Sequence, residues 1–534
     1  IGKTTNTAGI TLNNSANING PITVDGGLLV LNSSLRSQAL NAGITIRAKT
    51  HITNTTTTTT LTTNGGNILL ASNVDDASDG ESTINGGMRF DYGITATSNG
   101  GNITLGGGDT TGSGYALGQN AAGYYHGIRI NGTANFNSGN GSIVMRGKSY
   151  NVAVSSGEAG WGVGFYALTS SGTIDSGTGT IYIDGYSQTS GSAYGSGVYF
   201  YTNNPITIKS ANTTVNAIKI IGKAIGASGD TWGMEQEDST VSILATGANG
   251  GITLNTSQKG SYEAVMRGTW NMLANSGPIT WTSKADSDGV GNGYWYGPLS
   301  YWGSKAATLV PTSSSNISIA VDDFNWSNGT SPLFATTGTV EIKPASASFA
   351  QPIYSSWFTL NQNSQTVSGF TLGKDTNTSN ININTAISAN GPIKFYGGYI
   401  YASADVTATG GNILLDADTG TTLSQSTEGI TLAANVDLKT INSGDITLIG
   451  RSGSGNATLA GLSSANPVTM NSAGNVSLTG ISYATGASSR GINLLGTTIT
   501  AAGSVTMTGQ HGPNSSSYGV ALDSSSPVTA GTGI

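Results

Sequence analysis

The chain has 534 residues, 79 of them glycine and none cysteine, and its Asp, Glu, Lys and Arg together make 9% of the total, against about 25% in ordinary domains. That composition excludes an ordinary helical protein, a collagen (12 prolines and no three-residue glycine period) and a charge-expanded disordered chain, because 37% of the residues are hydrophobic and rich in strand-forming Ile, Val and Thr. A formal net charge of -7 offers no basic footprint, so no nucleic-acid partner is expected.

A length prior of about 150 residues per domain suggests three or four globular units, but the pattern along the chain is one of repetition. From the start, a glycine followed by apolar–polar–apolar alternation marks a short strand. Gly9-Ile10-Thr11-Leu12, Gly20-Pro21-Ile22-Thr23-Val24, Gly66-Asn67-Ile68-Leu69-Leu70 and Gly101-Asn102-Ile103-Thr104-Leu105 are successive cases. The tract Thr55 to Thr60 between them suits an extended strand or a mobile loop. After Ile103 the order is Gly127-Ile128-Arg129-Ile130, then Asn135-Phe136, then Gly141-Ser142-Ile143-Val144-Met145, which makes three strands per unit. Gly251-Ile252, Gly277-Pro278-Ile279, Gly411-Asn412-Ile413 and Gly444-Asp445-Ile446 continue the series, and Ile446, Val476 and Val505 follow one another at 30 and 29 residues.

Three short strands enclose too little volume to bury their own apolar residues, so the units must stack. The predicted fold is all-β, a right-handed parallel β-solenoid of about 20 turns, a continuous rod about 95 Å long at roughly 4.8 Å per turn. Its variable spacing follows the Ile-rich strand, which predicts glycine- and aromatic-rich inserts leaving from one corner. These are Gly106–Gly127, Gly147–Gly164, Gly185–Gly197, Gly222–Gly233 and Asp286–Gly303. All 8 tryptophans and 15 of 21 tyrosines fall between Tyr115 and Trp357. The chain is therefore zoned into plain Thr/Asn-rich turns over 1–105, aromatic insert-bearing turns over 106–360, and plain turns again over 361–534. Both ends fall within the repeat, which raises two expectations: a section of a longer solenoid, or copies joining end to end.

Chemistry-bearing residues are scarce. His51, His126 and His511 lie in separate units, too far apart for a catalytic triad. Asp75, Asp76, Asp79 and Glu81, and again Asp286 and Asp288, are weak candidates for a hard cation, but solvated acidic turns account for them better and neither matches a known calcium-loop spacing. No metal or cofactor is expected. Polysaccharide-cleaving enzymes of the pectate-lyase type also use parallel β-helices and group carboxylates with a basic residue. Asp322-Asp323 point to opposite strand faces, and the pair Asp416 and Asp418 is no better placed. The aromatic inserts are the most suggestive feature. Tyr115, Tyr124, Tyr125, Trp161, Tyr194, Trp232, Tyr294, Trp295, Tyr296 and Trp302 are the candidate contact residues, since rigid rings among Ser, Gly and Asn suit binding surfaces. The alternative is that these rings fold back and cover apolar flank.

The strands Ile103-Thr104-Leu105, Gly127-Ile128-Arg129-Ile130 and Tyr518-Gly519-Val520-Ala521-Leu522, with their relatives along nearly the whole chain, resemble the β-strand repeats of filamentous-haemagglutinin-like adhesins and autotransporter passengers of bacteria. The resemblance implies export, an extracellular or cell-surface location and a non-enzymatic role in attachment, with glycans, neighbouring cells or further copies as partners. It identifies no binding residue. The absence of cysteine fits export in unfolded form, and no run of about 18 apolar residues predicts a membrane-spanning helix.

Overall fold

The computed structural model describes residues 1–74, 86–119, 125–151, 160–189, 195–225, 231–237, 240–258, 264–285, 292–295, 301–325, 332–417, 427–454, 458–512 and 518–533. Its contacts divide the chain into two units, Ile1–Ser315 with Asn325–Thr330, and Asn316–Phe324 with Ser331–Ile534. This division is one of backbone packing, whereas the zoning by aromatic content follows the side chains.

The first unit is a parallel β-solenoid built from three stacked sheets. One turn runs through Ile128–Gly132 in the first sheet, Ala134–Asn137 in the second and Ile143–Lys148 in the third, and each strand pairs in parallel with its counterparts on the adjoining turns. The third sheet sets the frame. Among the described residues it has ten strands, and apart from the two-residue Ala116–Leu117 every one begins with isoleucine: Ile22, Ile44, Ile68, Ile103, Ile143, Ile181, Ile218, Ile252 and Ile279. These are Cα partners from turn to turn, so one β-branched side chain stacks on the next inside the core. Burying each contributes about 1.5–3 kcal/mol. Two residues on, Val24, Ile46, Leu70, Leu105, Met145, Ile183, Ile220, Leu254 and Trp281 form a second buried column. Phe165 and Phe200 stack in register from the first sheet, with ring centroids 5.3 Å apart.

Ser-x-x-Gly before the third-sheet strands that begin at Ile103, Ile143 and Ile181 is a buried corner. Ser98, Ser138 and Ser176 are fully buried. Ser176 Oγ donates to the Gly179 carbonyl at 2.7 Å, and Ser98 and Ser138 bond in the same way to Gly101 and Gly141. The residue after the serine turns left-handed at Asn99 (φ 52°), Gly139 (φ 74°) and Gly177 (φ 57°), which is why only Asn or Gly stands there. These serines point inward, where their hydroxyls satisfy backbone carbonyls of the corner. The Asn of Gly-Asn-Ile is structural too: Asn67 Oδ1 accepts the Asn102 backbone N–H, and Asn102 Oδ1 that of Ser142, both at 2.8 Å.

At the opposite end of the third-sheet strands two sheets converge on glycine. Gly147, Gly185 and Gly222 are register partners. A Cβ at each would lie 2.0, 1.9 and 2.1 Å from the carbonyl oxygens of Gly162, Gly197 and Gly233, which belong to the first sheet or its approach. Beyond this pinch the number of residues before the first sheet resumes varies from turn to turn. From Ile22 to Leu29 that link takes seven residues and from Ile103 to Ile128 twenty-five, so the expected length variation at one corner is found.

The insert boundaries need correction. Trp232 lies on strand Thr231–Glu237, Tyr294 and Trp295 on Asn292–Trp295, and Trp302 on Tyr301–Gly303, all solenoid strands. Glycines such as Gly197 and Gly233, taken from sequence as loop ends, are strand residues required by the close approach of the two sheets.

The second unit repeats the same plan. Ile317, Val340, Phe370, Ile393, Ile413, Ile446, Val476 and Val505 stack along its third sheet. Asn412, Asp445 and Asn475 pass the same side-chain-to-backbone bond from turn to turn. Gly450, Gly480 and Gly509 press on Gly461, Gly491 and Gly519. Among the described residues the one helical element is a single 3-10 turn, Ser355–Trp357, and no helix is long and apolar enough to cross a membrane.

Candidate functional site

The outward side of the first sheet in the first unit gathers a cluster of aromatic and charged side chains. Strands Val163–Leu168, Gly195–Tyr201 and Thr231–Glu237 lie on successive turns. Their register sets Gly164 beside Tyr199 and Tyr199 beside Glu235, with Tyr166, Tyr201 and Glu237 forming the next column. Alternation within a strand sends Val198 and Phe200 into the core and Tyr199 and Tyr201 outward.

Gly164 leaves a gap in the first column, and Trp161 fills it: a Cβ on Gly164 would sit 2.5 Å from the Trp161 ring. The indole lies 4.2 Å from the His126 ring, 4.4 Å from Tyr199 and 5.2 Å from Tyr166, centroid to centroid, and the Arg129 guanidinium stands 5.8 Å from it. Tyr166 packs in turn against Tyr201, the rings tilted by 31° with centroids 5.2 Å apart. Trp161 and Tyr199 are each 8% exposed, while Tyr166 and Tyr201 are half-buried and present their rings to solvent.

The aromatic columns end on charge. Arg267, on the next turn, donates through Nη1 to Glu235 Oε1 at 3.1 Å and to Glu237, and its guanidinium stands 5.5 Å from the Trp232 ring. Ser196 Oγ donates to Glu235 Oε2 at 2.7 Å, and the Tyr199 hydroxyl donates to Glu237 Oε2 at 3.1 Å. Burial pushes the Glu235 carboxyl well above the ordinary range, and the Glu237 charge adds to the rise. Ser196 and Arg267 oppose the shift without cancelling it, because Arg267 is shared with Glu237 and 38% exposed to water. His126 is buried and held neutral, first by burial and then by Arg129 and Arg89, and its Nδ1 accepts the Trp161 backbone N–H at 3.2 Å.

The candidate contact residues do not form one fringe. Trp161 belongs to these columns, and Trp232 sits at their edge, 4% exposed. Trp302 is 1% exposed and packs in the core 6.2 Å from Trp281. Tyr115 lies over the third sheet, where its hydroxyl donates to Asp184 Oδ2 at 2.8 Å, and burial with the Asp184 charge raises its pKa. Tyr125 is half-buried, and its carbonyl accepts the Tyr150 N–H at 2.9 Å. Tyr294 and Trp295 are placed by backbone register beside Val265 and Met266. Tyr124, Tyr194 and Tyr296 lie outside the described residues, as do the acidic residues Asp75, Asp76, Asp79, Glu81, Asp286 and Asp288. Among the described residues no three metal-ligating side chains gather.

Reading the sequence missed Tyr166, Tyr199, Tyr201, Glu235, Glu237 and Arg267. Their signal is the period-two alternation in Tyr199-Phe200-Tyr201 and Glu235-Gln236-Glu237, which acquires meaning only when the turn lengths align the two. No protein-family model, no curated protein and no solved structure matches the chain.

Proposed function

We propose that the chain is a non-enzymatic extracellular structural and adhesive protein, a section of a bacterial surface or secreted fibre, and that the outward side of its first sheet contacts glycans. The observation that carries the reading is the pair of in-register columns in which Tyr166 and Tyr201 present adjacent, mutually tilted rings beside the Glu237–Arg267 pair. Such a surface offers flat apolar area to a sugar ring and charged hydrogen-bonding groups to its hydroxyls, at low conformational cost. The repeated strands support a role as scaffold, since each turn needs its neighbours and the stack extends by repetition. The double substitution Tyr166→Ala/Tyr201→Ala removes the rings without touching the inward residues. Binding across a polysaccharide panel should fall with the circular dichroism unchanged; a wild-type protein that binds no glycan, or a variant that binds as well, overturns the reading. End-to-end association belongs to the same proposal and is tested by electron microscopy of native material, where isolated short particles would count against it.

A second reading, a polysaccharide-cleaving β-helix enzyme, draws on the Glu235–Glu237–Arg267 group, two carboxyls of unequal environment on one strand face. It requires release of reducing ends from a polysaccharide and loss of that release in Glu237→Gln. Binding without cleavage leaves the adhesive reading in place.

A further inference from the structure

The outward side of the second sheet in the first unit is uniform where that of the first sheet is varied. Its leading column takes one residue from each turn, Ser34, Thr60, Thr95, Asn135, Thr173 and Thr207, each the Cα partner of the next. The column beside it holds Thr62, Thr97 and Asn137, between Arg36 at one end and the Asp175–Lys209 ion pair at the other. The one aromatic residue of these six strands, Phe136, is buried in the core. The face therefore offers a sugar ring no platform, and its leading column offers an ion no charge.

Inward hydroxyls of these strands are satisfied within the chain. Thr59 Oγ1 donates to the Leu31 carbonyl at 2.6 Å and Thr63 Oγ1 to that of Ser98 at 3.0 Å. The outward hydroxyls are open: among the described residues the side chains of Thr60, Thr62, Thr95, Thr97, Thr173 and Thr207 have no hydrogen-bond partner, and all reach solvent. β-Branching restricts χ1 at each of them, and Leu61, Ala96, Phe136, Ile174 and Ile208 are buried beneath. The leading column continues through Ser242 to Asn271, where it passes under cover. Asn271 is 2% exposed, and its Nδ2 donates to Ser242 Oγ at 3.1 Å, yet its Oδ1 is buried and has no protein partner among the described residues. A buried amide oxygen of this kind is a place where an ordered water binds.

We propose that this face binds ice. Its hydroxyls recur along the stack at about 4.8 Å per turn. A water that bridges two hydroxyls through bonds of about 2.8 Å at the tetrahedral angle spans about 4.6 Å, which is also the separation of second-neighbour oxygens in a tetrahedral water lattice. One water per turn thus joins each hydroxyl of the column to the next. Across a strand the two columns stand about 6.6 Å apart, a gap that two waters bridge. Rigid hydroxyls at a fixed repeat favour a lattice over liquid water, because a lattice meets all of them at once and the ordering cost is already borne by the fold. The face shares no residue with the first-sheet columns, so this assignment stands or falls apart from the one above.

The test grows ice slowly from a solution of the whole chain and measures the fraction of protein taken into the solid, with the rate of ice recrystallisation as a second readout. The expected result is enrichment in ice, where serum albumin is excluded, and slowed recrystallisation. Thr95→Lys/Thr173→Lys places two long hydrated side chains on the face and should cut uptake about tenfold. Tyr166→Ala/Tyr201→Ala should leave uptake unchanged, which separates failure of the first-sheet reading from failure of this one. Exclusion of the wild-type chain from ice would overturn the proposal. So would unchanged uptake of the lysine pair at unchanged circular dichroism, or retention on crystalline cellulose through the same threonines without uptake into ice.

Discussion

Replacing Gly185 with alanine probes the converging sheets at their tightest point. The added Cβ would lie 1.9 Å from the Gly197 carbonyl oxygen and 2.8 Å from a Val198 methyl, whereas ordinary contact begins at 3.4 Å. The first sheet would have to retreat by about 1.5 Å, the difference between the first and last of those distances. The nearest obstacle is backbone, held in place because Gly185 pairs with Gly147 and Gly222, and Val198 with Val163 and Met234. Overpacking a side chain costs about 1–3 kcal/mol. Since backbone must move here, about 3 kcal/mol is the expected minimum, which raises the open population more than about a hundredfold. A stacked solenoid opens locally, so the assay is amide hydrogen exchange over 181–187 and 195–201, backed by pulse proteolysis. Gly20→Ala is the control: nothing lies within 4 Å of its added Cβ, and the change should stay within about 1 kcal/mol of wild type. Protection in Gly185→Ala equal to that of wild type, or equal loss in Gly20→Ala, would refute the geometry.

Ile218→Ala empties a fully buried position between Ile181 and Ile252 and should cost about 2–5 kcal/mol, read as lost exchange protection on those three turns; a cost below about 1 kcal/mol would deny the isoleucine column its role. His126, with its pKa lowered by burial, binds a proton more readily unfolded than folded. Stability should therefore fall as pH drops below about 6.5, by up to about 1.4 kcal/mol per unit, and His126→Gln should flatten that slope in acid denaturation. Glu235 has the opposite sign: its raised pKa keeps the proton in the folded state after the unfolded chain has lost it, so its contribution is full below the ordinary carboxylate range and lost as pH rises. Glu235→Gln should remove that decline, and unfolding midpoints at pH 5 and pH 8 that differ as much as in wild type would contradict it.

Sequence alone determined the class of fold. Glycine punctuation followed by Ile-x-Leu alternation, three times per unit with matched order, leaves stacking as the way to bury one face of each strand, and the parallel sheets follow. It also located the corner where the turns vary most in length, because the links from the third sheet to the first range from two residues after Gly26 to twenty after Gly107. Local chemistry such as Ser-x-x-Gly-Asn-Ile was visible as a pattern, but its cause was not: a buried hydroxyl and a side-chain amide each satisfy backbone groups that only the stack brings near. Tertiary structure alone decided which rings meet. Trp161, Tyr199 and Glu235 are 36 to 38 residues apart, and their contact depends on the lengths of two full turns and on a glycine at 164 that admits the indole. The same holds for the column that joins Thr95, Asn135 and Thr173. A strand's side-chain period of two is local and legible, whereas register between turns is set by loop lengths and sheet convergence. Glycines that sequence reading assigns to loops therefore turned out to be the points where two sheets touch.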